Sequence, residues 1–117
     1  MGVVYEGIRD DIGVRAAIKV LRPEYAQNND AATRFFNEAR AANLIAHPSI
    51  VKVFDYGPLP NGSAYLAMEY LDGESLRQRL DREKRLSEAD AMRIARQIAA
   101  ALAAAHGKQV IHRDLKP

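Results

Sequence analysis

Ile111-His112-Arg113-Asp114-Leu115-Lys116-Pro117 closes the chain. It is a charge-dense segment in which a carboxylate, Asp114, stands two residues before an ammonium, Lys116. An exposed loop of this composition can arise by accident, so its meaning depends on what precedes it. Directly upstream, Val110-Ile111 is a short apolar segment, and before that comes an Ala-rich stretch with helical periodicity. Ala91, Ile94, Ala95, Ile98, Leu102 and Ala105 fall on one stripe of that helix. Ser87-Glu88-Ala89-Asp90 reads as its capping box, and Gly107 as the left-handed residue that ends it.

The rest of the chain supplies alternating strands and helices. Val3 to Arg9 is β-branched and aromatic and reads as a strand. Asp10-Asp11-Ile12-Gly13 supplies a turn, and Val14 to Leu21 a second strand that Pro23 closes. Asp30 offers a cap to a helix running through Ile45, with Phe35, Ala39, Ala42 and Ala46 on its inward face. His47-Pro48 stops it, because proline disfavours helix in the residue before it. Ile50 to Tyr56 and Ser63 to Tyr70 read as two more strands about a Gly-Pro-rich loop. Asp72-Gly73 breaks the second of these, and Ser75 caps a short helix carrying Leu76 and Leu80.

Bulk properties narrow the class. The 117 residues, 48% hydrophobic and 27% charged, suit one soluble domain with a modest core. A net charge of +2 is only mildly basic and its charges are interleaved, so the Arg77–Arg85 region reads as a solvated face and no nucleic-acid partner is expected. There is no cysteine, hence no disulfide framework and no thiolate metal site, and the three histidines lack metal-ligand spacing. The longest apolar run, Ile98 to Ala105, is far short of the roughly 20 residues that span a bilayer. No signal peptide is visible, and a cytoplasmic setting is expected.

Taken in order, these segments resemble the amino-terminal half of bacterial Ser/Thr protein kinase catalytic domains, across essentially all of the chain. Met1-Gly2-Val3-Val4-Tyr5 resembles the end of the Gly-rich loop. Ala16-Ala17-Ile18-Lys19 resembles the V-A-I-K strand motif, with Ala in place of its Val, and Glu38 matches the helix partner of that lysine. His47-Pro48-Ser49-Ile50-Val51 resembles the link to the fourth kinase strand, and Met68-Glu69-Tyr70-Leu71 the hinge between lobes. His112-Arg113-Asp114-Leu115-Lys116-Pro117 resembles the first part of the catalytic loop, in its Ser/Thr form.

The resemblance implies an α+β, protein-kinase-like fold that is incomplete. It comprises a small antiparallel sheet with one packed helix over residues 1–71, then the first helices of the helical lobe over 72–117. It implies transfer of the ATP γ-phosphate to protein Ser or Thr. Asp114 would be the base, Lys116 would steady the γ-phosphate, and Lys19 with Glu38 would hold the α/β-phosphates. Gly2, Val4, Ala17, Lys19, Met68, Glu69 and Leu71 would line the nucleotide site, with Met68 as gatekeeper and the backbone of Glu69 and Leu71 facing the adenine edge. Arg113 would pair with a phosphorylated activation loop, and His112 would be a packed structural residue. The family uses Mg²⁺, but its ligands, the catalytic-loop Asn and the D-F-G Asp, do not occur in this sequence, so no metal residue is assigned. The segment reads as truncated at both ends, with a sheet edge open to association. A non-catalytic module that binds nucleotide or docks on a partner is the alternative.

Overall fold

The computed structural model describes residues 2–117, so the part of the Gly-rich-loop match that rests on Met1 lies outside the described residues. Contacts divide the chain into two units. The first runs to Leu44 and resumes over Val51–Leu71, and the second joins Ile45–Ile50 to Asp72–Pro117.

In the first unit, β1 (Gly2–Arg9) and β2 (Val14–Leu21) form a hairpin. Gly13 closes its turn at φ 66°, a left-handed conformation that glycine adopts without Cβ strain, and its amide donates to the Arg9 carbonyl at 2.7 Å. Pro23 does more than end β2. It opens a short helix, α1 (Pro23–Ala26), where its fixed φ suits the first turn and its missing N–H would be unpaired anyway. Helix α2 (Asn29–Leu44) follows. Its cap is Asn28, not Asp30: Asn28 Oδ1 accepts from the amides of Asp30 and Ala31 at 3.0 and 3.1 Å. Asp30 instead sits in the first turn, where its charge complements the helix dipole. The helix stops at Leu44, so Ala46, expected on its inward face, lies beyond it and is exposed.

Strand β3 (Val53–Pro58) starts later than the sequence suggests, and β4 (Ala64–Glu69) returns beside it. The strands form one antiparallel sheet in the order β1-β2-β4-β3. Its core is Leu21, Ala64 and Leu66 from the sheet against Phe35 and Ala39 from α2. Alternation along β2 and β4 puts those sheet residues on one face, and the spacing of Phe35 and Ala39 puts both on one helix stripe.

Among the described residues strand β1 is bonded on one side only, and Tyr5 and Ile8 are 55% and 61% exposed along it. Unpaired edges with apolar side chains template further pairing. The 117-residue chain is therefore expected to self-associate as its concentration rises, as seen by sedimentation velocity. A monomeric profile across the range would contradict this.

In the second unit, Ser75 and Gln78 form a full capping box at the start of α3 (Leu76–Glu83). At the start of α4 (Glu88–Gly107) only half of the expected box forms. Ser87 accepts from the Asp90 amide at 3.1 Å, while the Asp90 carboxylate turns to Arg79 and Arg93 at 2.7 and 2.8 Å. The Arg79 bond ties α4 to α3, and the two charge-assisted bonds together hold the Asp90 carboxyl below its usual range, Arg93 being the larger cause. Gly107 belongs to α4 and is not left-handed. Gln109 takes that conformation at φ 60°, and the Val110 amide closes the turn onto the Ala105 carbonyl at 3.0 Å. The expected α4 stripe also shifts: Ala91 and Ala95 are exposed, whereas Ala101 is buried. Ile94, Ile98, Leu102 and Val110 line an apolar groove of about 280 Å³ together with Ile45 and Ile50.

Candidate functional site

Register assembles the first group of site residues. Across β1-β2-β4, Val4 pairs with Lys19 and Lys19 with Leu66, while Glu6 pairs with Ala17 and Ala17 with Met68. Paired residues on neighbouring strands share a face, as do residues two apart on one strand. Val4, Ala17, Lys19 and Met68 therefore lie on the same face, the one that carries Leu21 and Leu66 and is packed by Phe35.

Helix α2 brings Glu38 to that face. Phe35 anchors the helix in the core, and Glu38 follows it by one turn. Lys19 Nζ donates to Glu38 Oε2 at 3.1 Å and stands 5.7 Å from the Phe35 ring centroid. The Lys19 side chain is 29% exposed and that of Glu38 55%, so the ammonium is half-sheltered but open to a ligand. The pair is formed, as the family resemblance of the two motifs leads one to expect.

The remaining residues of this group behave unequally. A Cβ on Gly2 would stand 2.6 Å from the Val20 carbonyl oxygen, so close approach of the β1 and β2 backbones already requires glycine there. Met68 is half-buried and packs on the core, which suits a wall. Glu69 donates its amide to the Lys52 carbonyl at 2.8 Å, so it has no amide to offer a ligand. Leu71 lies past the end of β4 and is 64% exposed.

The second group is Asp114 and Lys116. Lys116 Nζ donates to Asp114 Oδ2 at 2.8 Å, with the two side chains 72% and 75% exposed. Arg113 between His112 and Asp114 has φ 60°, uncommon for a residue with a Cβ, and the Asp114 amide donates to His112 Nδ1 at 3.3 Å. His112 is exposed rather than packed, lining the apolar groove of α4, because among the described residues nothing covers it.

The Lys116 hydrogen bond holds the Asp114 carboxyl below its usual range, and Asp114 holds the Lys116 ammonium above its own. A carboxyl whose pKa is depressed on folding contributes its pairing above the unfolded value and loses it as pH falls through the folded value. At neutral pH Asp114 is thus a carboxylate. Lys116→Met is expected to raise the Asp114 pKa towards the ordinary value of about 3.9. A carboxyl-carbon NMR titration reads this directly, and an unchanged midpoint would mean that Lys116 does not hold the carboxylate.

Sequence reasoning named Tyr70 only as part of the hinge match and passed over its contact with Arg15 and Glu6. Arg15 stacks its guanidinium over Tyr70 at 3.9 Å from the ring centroid and pairs with Glu6 at 2.7 Å. The signals in the chain were Arg15 standing two residues before Ala17, on its face of β2, and Tyr70 standing within the hinge match.

Among the described residues no group of three or more His, Asp or Glu side chains is placed to hold a metal ion. Among them, too, no helix is long and apolar enough to cross a membrane.

Comparison with known proteins adds family context. Residues 1–117 match the protein kinase domain family. The chain is 40% identical over 117 residues to the serine/threonine-protein kinase pkn3 of Myxococcus xanthus, covering 100% of this chain and 21% of that protein. It is 40% identical over 121 residues to the serine/threonine-protein kinase PknA of Mycobacterium tuberculosis, covering 100% of this chain and 28% of that one. A crystal structure of the Mycobacterium tuberculosis PknI kinase domain superposes with a TM-score of 0.81 at 34% identity, over 100% of this chain and 48% of the other. The chain thus spans about half of a solved kinase domain and between a fifth and a third of these curated relatives.

Proposed function

Because this chain belongs to the protein kinase domain family, we propose that it is the nucleotide-facing part of an ATP-dependent protein Ser/Thr kinase. Residues 1–71 serve in this reading as the smaller lobe and 72–117 as the start of the larger one. The observation that carries the reading is the Lys19–Glu38 pair at 3.1 Å on the sheet face that also bears Val4, Ala17 and Met68.

That face fits a nucleotide. It carries the apolar side chains of Val4, Ala17 and Met68, which suit a base, beside a half-sheltered ammonium for phosphate that Glu38 holds. ATP bound there supplies the phosphoryl group. Lys19 neutralises α/β-phosphate charge, Met68 closes the back of the site, and the Glu69 carbonyl and Leu71 amide read the base edge. Gly2 keeps β1 close to β2 beside the phosphates. Asp114 orients the protein hydroxyl and takes its proton, while Lys116 steadies the transferring group. Mg²⁺ does not fit the described residues, which hold no acidic cluster. The absence of cysteine suits a reducing, cytoplasmic setting in which ATP is at hand.

Lys19→Met is expected to weaken binding of an ATP analogue about tenfold or more, since a hydrogen bond to a charged group is worth about 1.5–3 kcal/mol. Isothermal titration on the 117-residue chain makes the measurement. Equal affinity in both proteins would remove Lys19 from the site and with it the reading. The second reading for these residues is a nucleotide-binding or partner-docking module without catalysis.

A further inference from the structure

Arg15 sits on β2 two residues before Ala17 and so on the face that carries Ala17 and Lys19. The β2–β4 ladder ends at the pair Ala16↔Glu69. Continuing that register, Arg15 and Tyr70 are the next residues on the two chains, opposite each other where strand pairing has stopped. Their side chains meet there: the guanidinium carbon lies 3.9 Å from the Tyr70 ring centroid. On its other side, Arg15 Nε donates to Glu6 Oε1 at 2.7 Å, and Glu6 lies on β1 in the row of Ala17 and Met68.

A planar cation can stack on a ring and hydrogen-bond a carboxylate in its own plane at once, which an ammonium cannot do. The stack therefore extends the sheet by one residue after the backbone ladder ends. Tyr70 immediately precedes Leu71, and the direction of an amide N–H is set by the dihedrals on either side of it. Anchoring the Tyr70 side chain restrains the backbone that carries the Leu71 amide.

We infer that Glu6, Arg15 and Tyr70 form a latch that aims the Leu71 amide at the base edge of a bound adenine nucleotide. Arg15 is a positioning residue that touches no substrate and acts through Tyr70. The inference rests on the nucleotide-binding reading above and deepens it, because it assigns the selectivity for adenine to a contact that Glu6 and Arg15, both outside the matched motifs, make with the hinge residue Tyr70.

The test uses the 117-residue chain and its Arg15→Ala, Arg15→Lys, Tyr70→Ala and double Arg15→Ala/Tyr70→Ala variants. The ¹⁵N order parameter of Leu71, measured without nucleotide, reads the latch itself. Affinities for ATP and GTP read its consequence. Arg15→Ala should take the Leu71 amide from near the rigid value of about 0.85 to below about 0.6. It should weaken ATP about twofold to fivefold, the size of an exposed cation–π contact, and leave GTP unchanged. Tyr70→Ala should match it, and the double variant should add nothing further. Arg15→Lys keeps the charge, and so the fold, but loses the stack, and should resemble Arg15→Ala. Parent-like order at Leu71 in Arg15→Ala, an unchanged ATP-to-GTP ratio, or full rescue by lysine would each overturn the latch. Should the parent bind no nucleotide, the functional reading fails, and the latch stands or falls on the order parameter alone.

Discussion

Phe35→Ala is expected to abolish cooperative unfolding of the first unit. Phe35 is 3% exposed and packs in one cluster with Leu21, Ala39, Ala64 and Leu66, making an edge-on contact with Phe36 at 5.7 Å. Truncating a buried phenylalanine removes its transfer energy and leaves a cavity, at a cost of about 3–5 kcal/mol. A small sheet with one covering helix has little to spare: whole domains are stable by only about 5–15 kcal/mol, and small ones sit at the low end. The same side chain seats the turn of α2 that carries Glu38, so the Lys19–Glu38 pair should be lost with it. Urea melts followed by circular dichroism make the measurement. A variant that melts cooperatively within about 1 kcal/mol of the parent, a typical average single-site cost, would show that the core lies elsewhere.

Phosphoryl transfer by the 117 residues alone is expected to fall below detection. Asp114 and Lys116 are present, but phosphoryl transfer depends mainly on positioning and charge neutralisation, and the described residues hold no metal-binding cluster. Losing one electrostatic group costs an enzyme about 10²–10³-fold, and here several are lost together. The assay is transfer of labelled γ-phosphate to a generic basic protein, run beside Asp114→Asn. Transfer that vanishes in the variant would show that this segment carries out catalysis by itself. In a longer kinase chain that contains the segment, Asp114→Asn is expected to lower kcat by about 10²–10³-fold with little change in the KM for ATP. That split follows if Asp114 handles the hydroxyl proton while Lys19 handles the nucleotide. Loss confined to KM would reassign Asp114 to binding.

Both predictions depend on features that reach the reader of the sequence unequally. The β-branched runs of β1 and β2, the glycine at the hairpin turn, and the serines before α3 and α4 act on backbone a few residues away, so the chain alone determined those elements. Ordered motifs likewise singled out Lys19, Glu38, Asp114 and Lys116. Where two similar residues compete for one local role, the sequence was ambiguous: Asn28 caps α2 rather than Asp30, and Gln109 rather than Gly107 turns left-handed after α4. The winner depends on where the helix is held by its packing, and no nearby residue states that. Strand register lay further out of reach. That Val4, Ala17 and Met68 share a face with Lys19, and that Arg15 meets Tyr70 just past the last ladder pair, follows from the pairing of strands far apart in the chain. A slip of one residue would have turned each of them to the opposite face. Only the burial of Leu21, Leu66 and Phe35 in one core selects the register that brings them together.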